Sequence, residues 1–237
     1  NIHNKGVVNM RILITAGGTL EKIDDVRNIK NSSTGRLGKI IADKIPGEHI
    51  VDYIHGQSSL LPKRSVNLYE IEGVQDLDDM VVSLLDKNKY DVVIFAMAVS
   101  DYMIQSVTSY EHLANNLENK DDILHRLMDY KEDLDRNQKI RSNHDHLAVL
   151  MKKAPKVIGR IKEKQPDTTL VGFKLLVDVE TQDLVNEAQK LIHKNKADYV
   201  LANDLTSIKG DNHTGYLIDK TGIVSTKHTK QDIAQEI

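Results

Sequence analysis

Short apolar runs alternate with segments of helical periodicity along most of the chain. The apolar runs predict strands, and segments with apolar residues three or four positions apart predict helices. Predicted strands cover residues 11–15, 49–55, 65–71, the start of 90–102, 146–152, 168–173 and 198–204. Predicted helices cover residues 34–45, 74–88, 154–163 and 181–195, and a last helix starts near residue 230.

Strands that alternate with helices are typical of an α/β fold with a mainly parallel sheet and right-handed crossovers. A hairpin is predicted over residues 215–227, with its turn at 220–222. We expect one domain over residues 10–237, preceded by a tag or disordered leader at 1–9. A polar surface insertion is predicted at about 103–138, with helical spacing near 121–130.

Composition excludes several function classes. The chain has 237 residues and a net charge of −3, so it carries no general signature of nucleic-acid binding. It contains no cysteine, which excludes disulfides, thiolate metal sites and a cysteine nucleophile, and which fits a cytoplasmic location. No apolar run approaches the roughly 18 residues of a membrane span, so we expect no membrane contact.

The segment "RNIKNSSTGRLGK" at residues 27–39 combines glycines, hydroxyls and basic residues at the start of a helix. It is neither a P-loop nor the dinucleotide fingerprint G-x-G-x-x-G, which is missing after the first strand. Free N–H groups at a helix start attract an anion, and Ser33 or Thr34 is the expected N-cap. From the residues alone, an ordinary capped helix beside a solvated loop explains the pattern equally well.

Polar clusters follow three of the predicted strands: "AVSDY", "GFK" and "LAND". An aspartate at a strand end is more often a turn or helix-cap residue than a ligand contact. Ligands of open α/β sheets bind beyond the carboxyl ends of the strands. Three such clusters together with the glycine loop therefore favour a crevice lined from several strands.

The ordered pieces "ITAGGTLEKIDDVRNIKNSSTGRLG", "AMAVSDY", "KAPKVIGRI", "LVGFKLLVDV", "QKLIHKN" and "ADYVLAND" resemble the phosphopantothenate–cysteine ligases, also called phosphopantothenoylcysteine synthetases. The chain is most similar to the stand-alone ligases of Gram-positive bacteria such as streptococci. The resemblance implies a three-layer fold that is Rossmann-like and partly ribokinase-like, and a homodimer. It also implies that a separate flavin-dependent decarboxylase acts next in the pathway.

The resemblance implies a reaction in two steps. CTP and the carboxylate of 4′-phosphopantothenate give an acyl-cytidylate and pyrophosphate, and the amine of L-cysteine then displaces CMP. Mg²⁺ is expected with the nucleotide, without protein residues assigned as its ligands. Bacterial relatives use CTP and eukaryotic ones use ATP, so the sequence leaves that choice open.

Site residues follow from the same resemblance. Asn31 and Lys139 are the expected catalytic residues, and Lys139 lies at the end of the insertion. The expected substrate-binding residues are Arg27, Ser33, Gly35 and Ala98. The expected nucleotide-binding residues are Asp101, Ala154, Pro155, Lys156, Val157, Phe173, Lys190 and Lys194.

The chain departs from the family pattern in several places. The insertion before Lys139 is longer than in fused bacterial enzymes, Arg36 stands where the family often has lysine, and the stretch "DKIPGEHIVDY" is shorter than usual. Two other functions were weighed. A nicotinamide-dependent reductase is disfavoured by the missing dinucleotide fingerprint. A nucleotide-binding module without catalytic activity is disfavoured by the presence of both Asn31 and Lys139.

Overall fold

The computed structural model describes residues 9–115, 134–208 and 212–237. The strands are β1 (Arg11–Ala16), β2 (Leu20–Lys22), β3 (Asn28–Lys30), β4 (Ile50–Gly56), β5 (Asn67–Ile71), β6 (Val92–Phe95), β7 (Tyr102–Ser109), β8 (Leu147–Lys153), β9 (Thr169–Leu176), β10 (Tyr199–Asp204), β11 (Asn212–Asp219) and β12 (Gly222–Thr229). The helices are α1 (Arg36–Lys44), α2 (Val74–Lys87), α3 (Tyr110–Asn115), α4 (Val157–Lys164), α5 (Thr181–Asn195) and α6 (Lys230–Glu236).

Eight strands form the central sheet in the order β12-β11-β10-β9-β6-β1-β4-β5. The six strands from β10 to β5 are parallel, and β11 and β12 continue the sheet antiparallel at one edge. The chain leaves β1 toward β4 on one side and later returns to β6 on the other. Open α/β sheets bind their ligands at such a reversal of strand order, which here lies at the carboxyl ends of β1 and β6.

The sheet separates two hydrophobic layers, as the alternation of side chains along β1 requires. Leu13 packs with residues of α2, α4 and α5, whereas Ile12 and Ile14 pack with residues of α1 and α6. The prediction of a mainly parallel, three-layer α/β fold is therefore confirmed. Within the described ranges, no helix is both long and apolar enough to span a membrane.

The predicted insertion at 103–138 begins with a largely buried strand, not with the polar surface segment that was expected. Strand β7 pairs antiparallel with β8 to form a separate two-stranded ribbon, and Ile104 and Val107 are buried in it. The predicted strand at 146–152 therefore exists, but it lies outside the central sheet. The predicted helical spacing near 121–130 lies outside the described residues, as does the leader up to residue 8.

A short hairpin of β2 and β3 was not predicted, because strands of three residues are too short to show a period of two. The expected N-cap of α1 was also wrong. The cap is Gly35, with φ 69°, and the helix begins at Arg36. The N-cap has a left-handed backbone conformation, which glycine adopts more readily than serine or threonine.

A buried carboxylate links the neighbouring strands β1, β4 and β5 by hydrogen bonds. Asp52 on β4 is fully buried and accepts hydrogen bonds from Tyr90 Oη (2.7 Å), Arg11 Nε (2.8 Å) and Asn67 Nδ2 (2.8 Å). Burial raises the pKa of Asp52, but these hydrogen bonds outweigh it and hold the pKa below its usual value. The carboxylate therefore stays ionised in the core.

We expect Tyr90→Phe to lower the free energy of unfolding by about 1.5–3 kcal/mol, because it removes a buried hydrogen bond to a charged group. Urea denaturation at neutral pH measures the loss. Tyr69→Phe is the matched control, since Tyr69 Oη lies 3.4 Å from the same carboxylate and should contribute less. Equal losses in the two variants would contradict this ranking.

Candidate active site

The loop after β1 is joined to the end of β6 by backbone hydrogen bonds. Ala98 N donates to Gly17 O at 2.8 Å, and Thr19 N donates to Ala98 O at 3.1 Å. The parallel pairing of the two strands thus continues beyond their ends through a bridge between Gly18 and Ala98. Gly17 has φ 87°, which lets the chain turn back at this point. The crevice floor is therefore hydrogen-bonded backbone.

Asn31 lies against this floor. Its N–H donates to Thr19 O at 3.2 Å, and its carbonyl accepts from Ser33 N at 2.9 Å. A Cβ on Gly18 would lie 2.2 Å from the Asn31 carbonyl oxygen, so only glycine allows this approach. Within the described part of the chain, the half-buried carboxamide of Asn31 has no hydrogen-bond partner. Its donor is therefore available to a ligand.

Thr19 is a site residue that sequence reasoning missed. It is fully buried and holds Asn31 through its carbonyl, Ala98 through its N–H and Ser100 through its hydroxyl, whose oxygen accepts from Ser100 N at 3.0 Å. The signal was its place directly after two glycines at the end of the first strand. Polar residues at that position often orient the loop rather than contact the ligand.

The start of α1 lies beside the same loop. A Cβ on Gly35 would lie 2.9 Å from Gly17 N, which shows how closely the two segments approach. Ser33 Oγ accepts from Gly35 N at 3.4 Å. The first N–H groups of α1 have no intrahelical acceptors, and the helix dipole adds positive potential there. Asn31, Ala98 and the start of α1 thus lie close together, and their role in a common site stays a prediction.

A second group forms where "AVSDY" meets the start of α4. The Asp101 carboxylate is ion-paired with Lys156 Nζ, and Asp101 O accepts from Ala154 N at 2.9 Å. Ala154 and Val157 are buried, whereas Asp101 and Lys156 are largely exposed. The helix starts at Val157, three residues after its predicted start at residue 154. Two of the predicted nucleotide-binding segments are therefore in contact.

The remaining predicted nucleotide contacts lie on β9 and α5. Lys190 Nζ is ion-paired with Glu187 at 2.7 Å, and Glu187 also lies 4.0 Å from Lys174 Nζ on β9. Lys194 is exposed one turn further along α5. Phe173 packs on the α1 face of the sheet, whereas Ala154 and Val157 belong to the core on the opposite face. Their assignment to one base pocket stays a prediction.

The predicted substrate contact Arg27 is already engaged. Its guanidinium donates to the buried carboxylate of Asp24 and, through Nη2, to Ile140 O at 3.0 Å. Ile140 directly follows Lys139, which is exposed. Arg27 and the segment that carries Lys139 are therefore in contact, and Arg27 acts first as a structural link.

The "LAND" cluster has a structural explanation. Asp204 accepts backbone N–H groups from Val179, Thr206 and Asp178, and these hydrogen bonds lower its pKa to about 2. Asp178 has the unusual φ of 54°, so the carboxylate stabilises a strained turn. Asp204 is a turn and cap residue, which was the alternative that the sequence favoured for a lone strand-end aspartate.

The model of the DNA/pantothenate metabolism flavoprotein C-terminal domain family matches residues 7–133 and 126–237. The chain belongs to this family. It is 30% identical over 237 residues to the coenzyme A biosynthesis bifunctional protein CoaBC of Thermococcus kodakarensis. The alignment covers all of this chain and 52% of that protein. The chain spans about half the length of the curated relatives it matches.

Two solved structures show the same fold. The DNA/pantothenate metabolism flavoprotein of Streptococcus pneumoniae has a TM-score of 0.82 and 37% identity, covering 96% of each chain. A Cab2 mutant in complex with phosphopantothenate-cysteine has a TM-score of 0.63 and 16% identity, covering 96% of this chain and 85% of that one. The resemblance inferred from the sequence motifs is thus confirmed at the level of the family.

We expect Gly18→Ala to lower the free energy of unfolding by about 1–3 kcal/mol, because its Cβ would overlap the Asn31 carbonyl oxygen. Gly47→Ala is the control, since a Cβ there has no atom within 4 Å. Urea denaturation measures both variants. If Gly18→Ala is as stable as the control, the loop is not packed as described.

Proposed function

We propose that this chain is a ligase of coenzyme A biosynthesis that joins 4′-phosphopantothenate and L-cysteine through an acyl-cytidylate. The observation that carries the proposal is the carboxamide of Asn31, which lies beside Ala98 and the start of α1 and has no hydrogen-bond partner in the described ranges. The names of the relatives support it, because they are proteins of coenzyme A biosynthesis and one was solved with phosphopantothenate-cysteine.

In the first step, a carboxylate oxygen of phosphopantothenate attacks the α-phosphorus of CTP and pyrophosphate leaves. In the second, the amine of cysteine attacks the acyl carbon, CMP leaves and the nitrogen loses a proton. Activation is needed because a carboxylate is negatively charged and has a poor leaving group. Holding the two anionic substrates in line accounts for a large part of such catalysis.

Asn31 suits the acyl side of this reaction. An amide N–H can bind the carboxylate oxygen and then the oxyanion that forms when cysteine attacks. Because a carboxamide is a very weak acid, its N–H donates a hydrogen bond without transferring its proton to the intermediate. The backbone N–H groups at the start of α1 share the negative charge, and Gly35 and Ser33 form the approach to them.

The nucleotide side is assigned to the second group. Lys156 and Asp101 lie next to Ala154 at the start of α4, and Lys190 offers a cation on α5. Glu187 now neutralises Lys190, so a polyphosphate would have to displace one carboxylate contact. Lys139 is expected to reach the reacting groups from the segment beside the β2–β3 hairpin.

Magnesium belongs to this proposal. The described residues contain no group of three histidine or acidic side chains that could hold a metal by themselves. Asp101 with the phosphates of the nucleotide is a donor set that fits Mg²⁺, which usually binds one or two carboxylates, phosphate oxygens and water. When bound, Mg²⁺ would neutralise charge on the triphosphate and favour the departure of pyrophosphate.

A homodimer, a cytoplasmic location and a separate flavin-dependent decarboxylase are further parts of the proposal. The homodimer is proposed from the resemblance to the family alone. Neither rival function gains support. The loop after β1 lacks the glycine spacing of a nicotinamide site, and family membership disfavours a binding module without catalysis.

Pyrophosphate release with each of the four nucleoside triphosphates, with and without phosphopantothenate and cysteine, tests the function. We expect release with CTP only when phosphopantothenate is present, and amide formation only when cysteine is added. Release with ATP instead would change the nucleotide but not the reaction. No release with any triphosphate would overturn the proposal.

We expect Asn31→Ala to lower kcat for amide formation by about 10²–10³, the usual cost of losing one oxyanion donor. Asn31→Asp should be worse, because it adds negative charge where negative charge develops. Both should stay folded in a thermal melt. Asn28→Ala, at an exposed position of β3, is the control. Turnover close to wild type in Asn31→Ala would remove Asn31 from the reaction.

We expect Lys190→Ala to raise KM for CTP by about tenfold with little change in kcat. The expected increase is no larger than this because Lys190 is 73% exposed, and water screens its charge. Lys87→Ala, at an exposed position of α2, controls for loss of a surface charge. Steady-state kinetics with varied CTP distinguish them, and an unchanged KM would place Lys190 outside the nucleotide site.

A further inference from the structure

Ile140, the residue after Lys139, is held at three points. Its side chain is 5% exposed and packs with Ile104 and Val107 of the ribbon. Its N–H donates to Asp24 Oδ2 at 3.0 Å, and its carbonyl accepts from Arg27 Nη2 at 3.0 Å. The backbone next to Lys139 therefore has a fixed position, while Lys139 itself is exposed.

Asp24 is the centre of this contact, and its side chain is fully buried. Oδ1 accepts from the backbone N–H groups of Val26 and Arg27, and Oδ2 accepts from Arg27 Nε, Arg27 Nη2 and Ile140 N. The Arg27 guanidinium holds the pKa of Asp24 well below its usual range. Both oxygens are needed as acceptors, so a carboxamide cannot replace the carboxylate without placing an NH₂ group against donors.

A second arginine fastens the same segment. Arg136 Nη2 donates to Lys22 O at 2.5 Å, and Arg136 Nε lies 3.4 Å from Ile23 O. Both carbonyls belong to the same end of the β2–β3 hairpin as Asp24. The segment 134–140 therefore contacts the tip of this hairpin at two of its residues, Arg136 and Ile140.

The other end of the hairpin carries Asn31. Leu20 pairs with Lys30 at the base of the hairpin. One residue further from the tip, Asn31 N donates a hydrogen bond to Thr19 O. Three residues of strand span roughly 10 Å between base and tip. One short hairpin thus holds Asn31 at its base and the backbone beside Lys139 at its tip.

We propose that Asp24 is a positioning residue that fixes Lys139 relative to Asn31, with Arg27 as the link between hairpin and segment. The proposal rests on the proposed function for the roles of these two side chains. It also assigns Arg27 a different part from the expected substrate contact, since Nε and Nη2 of its guanidinium are already used. Asp24 itself touches no reacting atom.

Hydrogen exchange of residues 134–142 in the ligand-free protein tests the contact without any activity. In Asp24→Asn, we expect exchange of the Ile140 amide to become about 10- to 100-fold faster, the fold-change of one lost charged hydrogen bond. Asp25→Asn removes the same charge from an exposed neighbour and should leave exchange unchanged. A thermal melt verifies folding, and Arg27→Lys is a milder second variant, because lysine keeps the charge but loses the forked geometry.

A double-mutant cycle tests positioning. Asp24→Asn should lower kcat by roughly 10²-fold, the cost of a displacement of about 1 Å, with little change in KM for CTP. In a Lys139→Ala background, the same substitution should cost less than about threefold, because the residue that it positions is gone.

Two results would overturn the proposal: unchanged exchange at Ile140 in both Asp24→Asn and Arg27→Lys, or an equal loss of kcat with and without Lys139. If the wild-type chain releases no pyrophosphate with any triphosphate, the proposed function fails instead. Faster exchange in that case would leave the contact as a structural one and would reject its role in positioning a catalytic lysine.

Discussion

The candidate site depends on a close backbone approach at the carboxyl ends of β1 and β6. Gly17, Thr19 and Ala98 continue the parallel hydrogen bonding past the last strand residues. The Asn31 carbonyl oxygen then lies so close to Gly18 that a Cβ at this position would overlap it. Because the strand order reverses between β1 and β6, this backbone contact lies at the position where open α/β sheets bind their ligands.

Three carboxylates in different parts of the chain have structural roles. Asp52, Asp24 and Asp204 are all held ionised by hydrogen bonds, and each joins segments that are distant in sequence or strained. A buried carboxylate with every acceptor used is costly to disturb, since removing one partner leaves a charge without compensation. In contrast, the side chains of Asn31 and Lys139 have no hydrogen-bond partner among the residues that the structure describes, so both can contact a ligand.

Much of the fold was predictable from local pattern. Apolar runs and helical spacing predicted the parallel strands and their helices, because burial on both faces of a sheet leaves a continuous apolar signal. The pattern failed where elements are short or isolated. The β2–β3 hairpin has three-residue strands, and β7 buries Ser106 and Thr108, so its composition resembles that of a polar surface segment.

The sequence by itself determined the fold class, the family and the candidate residues, because these follow from ordered motifs and local periodicity. Only the tertiary structure decided which residues meet: Thr19 as the holder of Asn31, Asp101 with Lys156, and Asp24 beneath Arg27 and Ile140. It also gave Asp204 a capping role and placed Phe173 on the α1 face. The physical reason is that such contacts join residues up to 116 positions apart, and no local pattern records the backbone path that closes them.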